Sequence, residues 1–381
     1  MRIIMVSNNY TPYSGGVVSA LDALIPALQA AGHEVTLITL SFLQDHSDDP
    51  SWVVRVPHIG QWMYKENHIA IPWGADSFVL DFIKKSAPAI IHAHHPFLLG
   101  SSALKVAREL GLPLVFTYHT LYEQQVHYIP VPEWLGAPCI QKMVQSYCAQ
   151  VDGIIAPSST VQKYIQQLLL PNDVVCEVIP SCLLSIFMKQ KTFTPKEKVA
   201  GDPFKLVTVG RFVLGKNMRQ LLDLFARLDQ KNFSFTLIGY GSEFEETKRY
   251  AYDHLGLSPS VVSFIHKPEK AIIAQHYRAA DLFLFGSTKD TQGLVLAESM
   301  ASGTPIVAFD GPGQRDSVRP GVNGFLVNSV EQMREKIMQI AHDPQLHETL
   351  QKGAFLMAQA YRPEVIVDRL SSFYQKLVNM R

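Results

Sequence analysis

Apolar and polar positions alternate in short blocks of two kinds along the first half of the chain. Apolar runs at 3–7, 34–39, 89–93, 113–117 and 153–156 read as strands buried on both faces. Between them, 19–31 and 101–110 carry apolar residues at the 3.6-residue spacing of amphipathic helices, and Gly32 and Gly111 follow as C-terminal stops. The pattern breaks near Pro180, and 189–202 is a polar stretch with several lysines and one proline that reads as a linker. Alternation then restarts, with strands at 205–209, 234–238, 261–265, 282–285 and 305–309 and helices at 218–228, 243–254, 270–279 and 294–301. A last helical pattern, 363–380, comes after this second series is complete.

Two βα series joined by one linker predict an α/β protein of two doubly wound, Rossmann-like domains facing each other across a cleft. The expected boundaries are 1–185 for the first domain, 186–203 for the linker, 204–361 for the second domain and 362–381 for the final helix. A chain of 381 residues has the length for two packed domains.

Composition narrows the class. Lys plus Arg total 34 and Asp plus Glu total 34, a formal net charge of +0, which argues against a nucleic-acid binder. Residues 1–180 hold 9 basic against 14 acidic side chains, so the first half is acidic and the second correspondingly basic, which suits a phosphate-bearing ligand there. No apolar run reaches the ~20 residues of a bilayer-spanning helix, and the first residues read as a strand, not a signal peptide. Cys139, Cys148, Cys176 and Cys182 form no CxxC pair, which fits a reducing compartment and a cytoplasmic location.

Chemistry-bearing residues cluster where strands end. Gly15-Gly16 stands between the first strand and its helix, where backbone N–H groups can approach an anion; a tight turn is the plainer reading of two glycines. His92-Ala93-His94-His95-Pro96 ends a predicted strand, the rim at which ligands bind in open α/β sheets. Substrate contact by His94, a structural role and a metal site are all open for these histidines, though no carboxylate or cysteine stands at supporting spacing for zinc. Tyr118-His119-Thr120 ends the next strand, and Tyr122, His127 and Tyr128 follow on the same rim.

In the second half, Gly210-Arg211 ends the first strand and Lys216-Asn217 opens the next helix. An Arg and a Lys so placed suit a diphosphate, the guanidinium by paired hydrogen bonds and the ammonium as a mobile point charge; a solvated pair is the alternative. Asp290 sits in a loop, Gln292-Gly293-Leu294 begins a helix, and Glu298 lies about a turn inside it, where it could accept from a ribose diol or simply favour the helix dipole.

With these residues in place, the chain resembles the family 4 retaining glycosyltransferases of the GT-B fold over nearly its whole length. The matching segments are Gly15-Gly16, His94-His95-Pro96, Ala156-Pro157-Ser158, Gly210-Arg211, Lys216-Asn217, Leu237-Ile238-Gly239-Tyr240-Gly241, Gly303-Thr304-Pro305-Ile306-Val307 and Gly321-Val322-Asn323-Gly324. Thr117-Tyr118-His119-Thr120-Leu121-Tyr122-Glu123 and His127-Tyr128 resemble the bacterial diacylglycerol glucosyltransferase branch. The resemblance implies an acceptor-binding first domain and a nucleotide-sugar-binding second domain. By it, Arg211 and Lys216 bind the diphosphate, Glu298 holds the ribose, and Asp290 stands for the first glutamate of the E-x7-E motif at the sugar. Gln292, Gly293 and Leu294 offer backbone groups to the donor, Gly16 lies near the diphosphate, and His94 lies beneath the transferred sugar. Tyr10, His119 and His127 are expected on the acceptor side, and the final helix is expected to cross back onto the first domain.

The chain departs from the family at Asp290, at Ile179-Pro180-Ser181-Cys182-Leu183-Leu184 and at Gly215. It carries no DxD motif, so the resemblance implies a metal-independent enzyme without cofactor, using UDP-glucose or a similar donor. Partners are then the nucleotide sugar and a hydroxyl acceptor such as diacylglycerol. A peripheral contact with the inner face of the cell membrane is expected, through residues such as Ile129, Trp134 and Leu135. A soluble acceptor, and a nucleotide-sugar binder without catalysis, are the alternatives.

Overall fold

A computed structural model describes residues 1–12, 15–42, 48–64, 67–122, 132–168, 174–196 and 201–381. His127 and Ile129 lie outside the described residues. The chain divides into two compact units, Met1–Cys182 together with Pro363–Arg381, and Leu183–Arg362.

The first unit begins β1 (Arg2–Ser7), α1 (Gly16–Ala30), β2 (Glu34–Leu40) and β3 (Val53–Val56), then a hairpin of β4 (His58–Tyr64) and β5 (Asn67–Pro72). It continues with α2 (Ala75–Ser86), β6 (Ile90–Ala93), α3 (Leu99–Leu110), β7 (Leu114–Thr117), α4 (Glu133–Cys148), β8 (Gly153–Ala156), α5 (Ser159–Leu168) and β9 (Val175–Val178). Seven strands form one parallel sheet in the order β3-β2-β1-β6-β7-β8-β9. Ile3, Ile4, Met5 and Val6 are fully buried, as a strand covered by helices on both faces requires.

The second unit runs β10 (Phe204–Arg211), α6 (Met218–Phe225), β11 (Phe233–Tyr240), α7 (Phe244–Arg249), β12 (Val262–His266), α8 (Lys270–Ala279) and β13 (Leu282–Phe285). After these come α9 (Leu294–Ala301), β14 (Ile306–Phe309), α10 (Gln314–Ser317), β15 (Gly324–Val327), α11 (Val330–His342) and α12 (Pro344–Ala358). Its six strands are again parallel, in the order β12-β11-β10-β13-β14-β15. Phe212, Phe225, Phe235 and Phe283 fill its core, each side chain contributing ~1.5–3 kcal/mol by burial.

The last helix, α13 (Pro363–Asn379), belongs to the first unit, where it packs on α1 and against Gly153. A Cβ added at Gly153 would stand 2.7 Å from Phe373 and Leu377, so the absence of a side chain lets β8 meet this helix.

Several elements depart from the reading of the sequence. The expected helix at 243–254 is α7 followed by a π-turn at Tyr250–His254. β3, the hairpin, α2, α4, α5, β9, α10, β15, α11 and α12 were not foreseen, although α11 buries Met333, Ile337 and Ile340 at helical spacing. The polar stretch read as a linker packs on the second unit. Phe193 meets Phe355 with ring centroids 6.1 Å apart, and the Lys196 ammonium donates to the Tyr277 and Ala280 carbonyls and the Thr304 hydroxyl. Burial pushes the Lys196 ammonium down to about 7.

Candidate functional site

In each sheet one strand is flanked by an earlier and a later crossover, β1 between β2 and β6, and β10 between β11 and β13. The carboxyl ends of these strands are where such sheets bind ligands. The described donor-side and acceptor-side candidates lie at or just after the carboxyl ends of β1, β6, β7, β10 or β13, or on the helix that follows.

In the second unit, Arg211 is the last residue of β10 and Lys216 closes a single 3-10 turn, Leu214–Lys216. Asn217 adopts a left-handed φ of 53°, and its Nδ2 donates to the Gly286 carbonyl at 2.8 Å. A Cβ at Gly286 would stand 2.7 Å from the Lys216 carbonyl oxygen, so this glycine lets the two loops touch. The Lys216 Nζ then lies 2.5 and 2.7 Å from the two carboxylate oxygens of Asp290. Arg211 enters no ion pair among the described residues and is partly buried.

The loop that carries Asp290 is braced from behind. Gly313 N donates to the Asp290 carbonyl at 2.8 Å, and the fully buried Gln314 donates through Nε2 to the Ser287 carbonyl at 2.5 Å. Gly293, at a φ of +69°, turns this loop into α9, a conformation that side chains resist. No side chain caps α9 and its first turn holds no acid, so its N-terminal N–H groups stand ready for an anion. Gln292 and Leu294 flank the turn. Further along, Glu298 is buried; its Oε2 accepts from the Tyr277 hydroxyl at 3.1 Å and its Oε1 lies 4.0 Å from the Lys270 ammonium. Burial raises the Glu298 pKa, and Lys270 and Tyr277 offset part of that rise.

In the first unit, Gly16 opens α1, with Gly15 as its N-cap and open space where a Cβ would stand at either. His95 secures the preceding turn, because its Nδ1 accepts from Asn8 N at 3.2 Å. A Cβ at Gly100 would come 1.7 Å from the His95 carbonyl oxygen, so α3 starts hard against this segment. Tyr10 is buried and its hydroxyl donates to Asp22 at 2.8 Å, beneath Arg55, which is itself paired with Asp49.

His94 is 2% exposed, its Nδ1 lies 2.9 Å from His119 Nε2, and its Nε2 has no hydrogen-bond partner. Burial, with the neighbouring imidazoles adding to it, holds His94 well below the ordinary histidine range, and burial takes His119 down to about 3. Among the described residues no group of three His, Cys, Asp or Glu side chains converges as metal ligands would. The structure brings together His94 with His119, and Lys216 with Asp290.

Residues 14–182 match the family model for Glycosyltransferase Family 4, and residues 189–357 match that for Glycosyl transferases group 1. The alpha-monoglucosyldiacylglycerol synthase of Streptococcus pneumoniae is 30% identical over 82% of this chain and 72% of its own length. The chain belongs to the family 4 glycosyltransferases. The protein of the same name from Acholeplasma laidlawii is 26% identical over 100% of this chain and 98% of its own. The glycosyltransferase has the GT-B fold, which it shares with sucrose-phosphate synthase from Thermosynechococcus elongatus at a TM-score of 0.80, 20% identity and 100% coverage of both chains. Anabaena HepE, solved in complex with UDP-glucose, aligns at a TM-score of 0.75 and 17% identity over 99% of this chain and 100% of its own.

Sequence reasoning missed the residues that hold this glycosyltransferase's site from behind. Tyr277 sits on the apolar stripe of α8 and looks like any core aromatic, yet its hydroxyl meets Glu298. Gln314 follows a Gly-Pro-Gly turn and gives no signal that it is buried. Among the described residues no helix is long and apolar enough to cross a membrane, while Trp134 and Leu135 on α4 are 78% and 53% exposed.

Proposed function

We propose that the chain is a retaining, metal-independent glycosyltransferase that moves a hexose from a nucleotide sugar, of the UDP-glucose type, to a hydroxyl of a glycolipid precursor such as diacylglycerol. The observation that carries this reading is the Lys216–Asp290 pair and the uncapped N-terminus of α9 after β13, with Arg211 closing the neighbouring strand β10. Cleavage of a glycosyl phosphate builds negative charge on the departing diphosphate. Fixed donors aimed at that charge stabilise it where water would have to reorganise, and one such donor is worth ~3–4 kcal/mol.

Residue roles follow from chemistry. Arg211 offers a planar pair of N–H groups to one phosphate. Lys216 has three N–H donors, and the two Asp290 oxygens leave one for the leaving group. Asp290 in turn accepts from a sugar hydroxyl, Glu298 accepts from the ribose through Oε1, and Gly293 and Leu294 N–H groups complete the phosphate contacts. His94, neutral at physiological pH, offers Nε2 to the transferred sugar. Gly16, at the start of α1, serves the diphosphate, and His119 and His127 serve the acceptor side. The acceptor hydroxyl attacks on the face the diphosphate leaves and passes its proton to the departing phosphate oxygen, which retains the anomeric configuration and needs no protein nucleophile.

The names of the Streptococcus and Acholeplasma relatives support diacylglycerol as acceptor, and the exposed Trp134 and Leu135 support a peripheral contact with the inner face of a membrane. The acidic balance of residues 1–180 favours a second reading, a soluble sugar acceptor, because it weakens attraction to anionic lipid. A melting-temperature panel with UDP, GDP and their sugar conjugates, with and without divalent metal, identifies the donor by mass action. The stabilising donor is then given to vesicles containing diacylglycerol or to soluble sugars, and the product anomer is read by NMR. An α-glucosyl lipid formed in the presence of chelator is expected. An inverted product, a metal requirement, or no stabilisation by any nucleotide overturns the reading.

A further inference from the structure

The unpartnered Nε2 of His94 is useful only if its ring is held still, and the ring's own bonds do not explain why it is. His94 follows β6 directly and makes one side-chain hydrogen bond, to His119. A single contact at Nδ1 leaves an imidazole free to tilt about that axis. The tilt is blocked from the side. His92, two residues earlier and therefore on the same side of the strand, stacks on His94 with ring centroids 4.3 Å apart and planes 30° from parallel. His119 lies edge-on, in line with the Nδ1 contact, with ring centroids 5.2 Å apart and planes 20° from parallel.

His92 is itself held at both nitrogens. Its Nε2 lies 2.7 Å from the Thr117 hydroxyl at the end of β7, and its Nδ1 lies 2.6 Å from the hydroxyl of Tyr374. Tyr374 comes from α13, a helix 282 residues further along the chain, and both Tyr374 and His92 are buried. A neutral imidazole donates from one nitrogen and accepts at the other, and two hydroxyls can satisfy either assignment. Rotating the ring out of this position breaks at least one buried hydrogen bond. A buried histidine with both nitrogens engaged, in contact with a buried histidine whose Nε2 has no partner, is an ordered arrangement with one open valence.

We propose that His92 and Tyr374 are positioning residues for His94: the C-terminal helix clamps the His92 ring, and that ring fixes the plane in which His94 presents Nε2 to the transferred sugar. Neither touches substrate. The inference rests on the reading that His94 contacts the sugar, and it adds that the last helix of the chain is part of how the site is held.

The test uses the full-length protein carrying histidine labelled at Cε1, with the His94 ring signal identified through His94→Gln. Tyr374→Phe removes one hydroxyl and keeps the aromatic packing. The expected result is a shifted and broadened His94 signal in the absence of any ligand, kcat lowered about 10-fold, and an unchanged rise in melting temperature with UDP. In the His94→Gln background, Tyr374→Phe should cost no further turnover, because it acts through His94. An unmoved His94 signal, or an equal loss of turnover in both backgrounds, overturns the proposal. Should Tyr374→Phe fail to fold, Thr117→Val releases the other His92 nitrogen and carries the same expectations. Wild-type turnover in His94→Gln sinks the sugar-contact reading instead, and the ring signal still decides whether Tyr374 holds His94.

Discussion

Lys216 and Asp290, 74 residues apart, form a partly buried ion pair in which one ammonium reaches both carboxylate oxygens, at 2.5 and 2.7 Å. Each partner was assigned to the donor separately, the lysine to the diphosphate and the aspartate to the sugar. Their contact means that neither can be changed without altering the other. It also bears on the shortness of Asp290 relative to the glutamate of the E-x7-E motif, because the lysine comes to it. Asp290→Asn should therefore release Lys216 and lower turnover by ~10–100-fold, the worth of a charged hydrogen bond. Asp290→Glu should stay within ~10-fold of wild type. Initial rates at saturating donor decide this, and wild-type rates in Asp290→Asn would remove the residue from the mechanism.

Arg211 is the free cation of the pair at the end of β10. With no ion pair to lose among the described residues, Arg211→Ala should leave the melting temperature nearly unchanged while turnover falls at least ~100-fold, as for loss of one fixed donor at a developing anion. Thermal unfolding and turnover measured on one preparation separate a chemical role from a structural one.

Tyr277 holds one oxygen of the buried Glu298. Tyr277→Phe keeps the ring and strands that oxygen, at a cost of ~1–3 kcal/mol in stability. Loss of the hydroxyl also removes a force that lowers the Glu298 pKa, so the carboxyl should rise further and accept less well from a ribose. Urea unfolding and the UDP-induced shift in melting temperature should both weaken; an unaltered UDP shift would dissociate Glu298 from nucleotide binding.

Acid should unfold this protein through its buried imidazoles. Burial lowers His92 to about 3 and His95 to about 4, against 6.5 for the ordinary group. Between those values the unfolded chain binds more protons than the folded one, so stability is fully present above about pH 7 and is lost as pH falls from 6.5 toward 4. Each such group contributes a slope of ~1.4 kcal/mol per pH unit in that window. Denaturant midpoints from pH 8 to 4.5 check this, and a flat profile below 6.5 would mean that these rings are protonated in the fold.

The strand ends and helix starts that carry the candidate residues were legible because they are local. Gly293 before an apolar helix, Arg211 at the end of a β-run, and His94 at the end of another are each defined by residues within one turn or strand. The supports were not legible. Gln314 beneath Ser287 and Tyr277 beside Glu298 are ordinary residues in ordinary patterns, and their roles come from which element lies next to which.

By itself, then, the order of apolar runs and glycine turns determined two parallel sheets and the strand ends that could carry chemistry, because period and turn preference depend on neighbours a few residues away. Only the tertiary structure decided that Lys216 meets Asp290, that the polar 189–196 stretch seats Lys196 against three acceptors, and that Tyr374 reaches His92 across 282 residues. Such pairings depend on strand order and helix packing, where side chains distant in sequence become the nearest donors and acceptors left once water is excluded, and every buried polar atom but a few must find one.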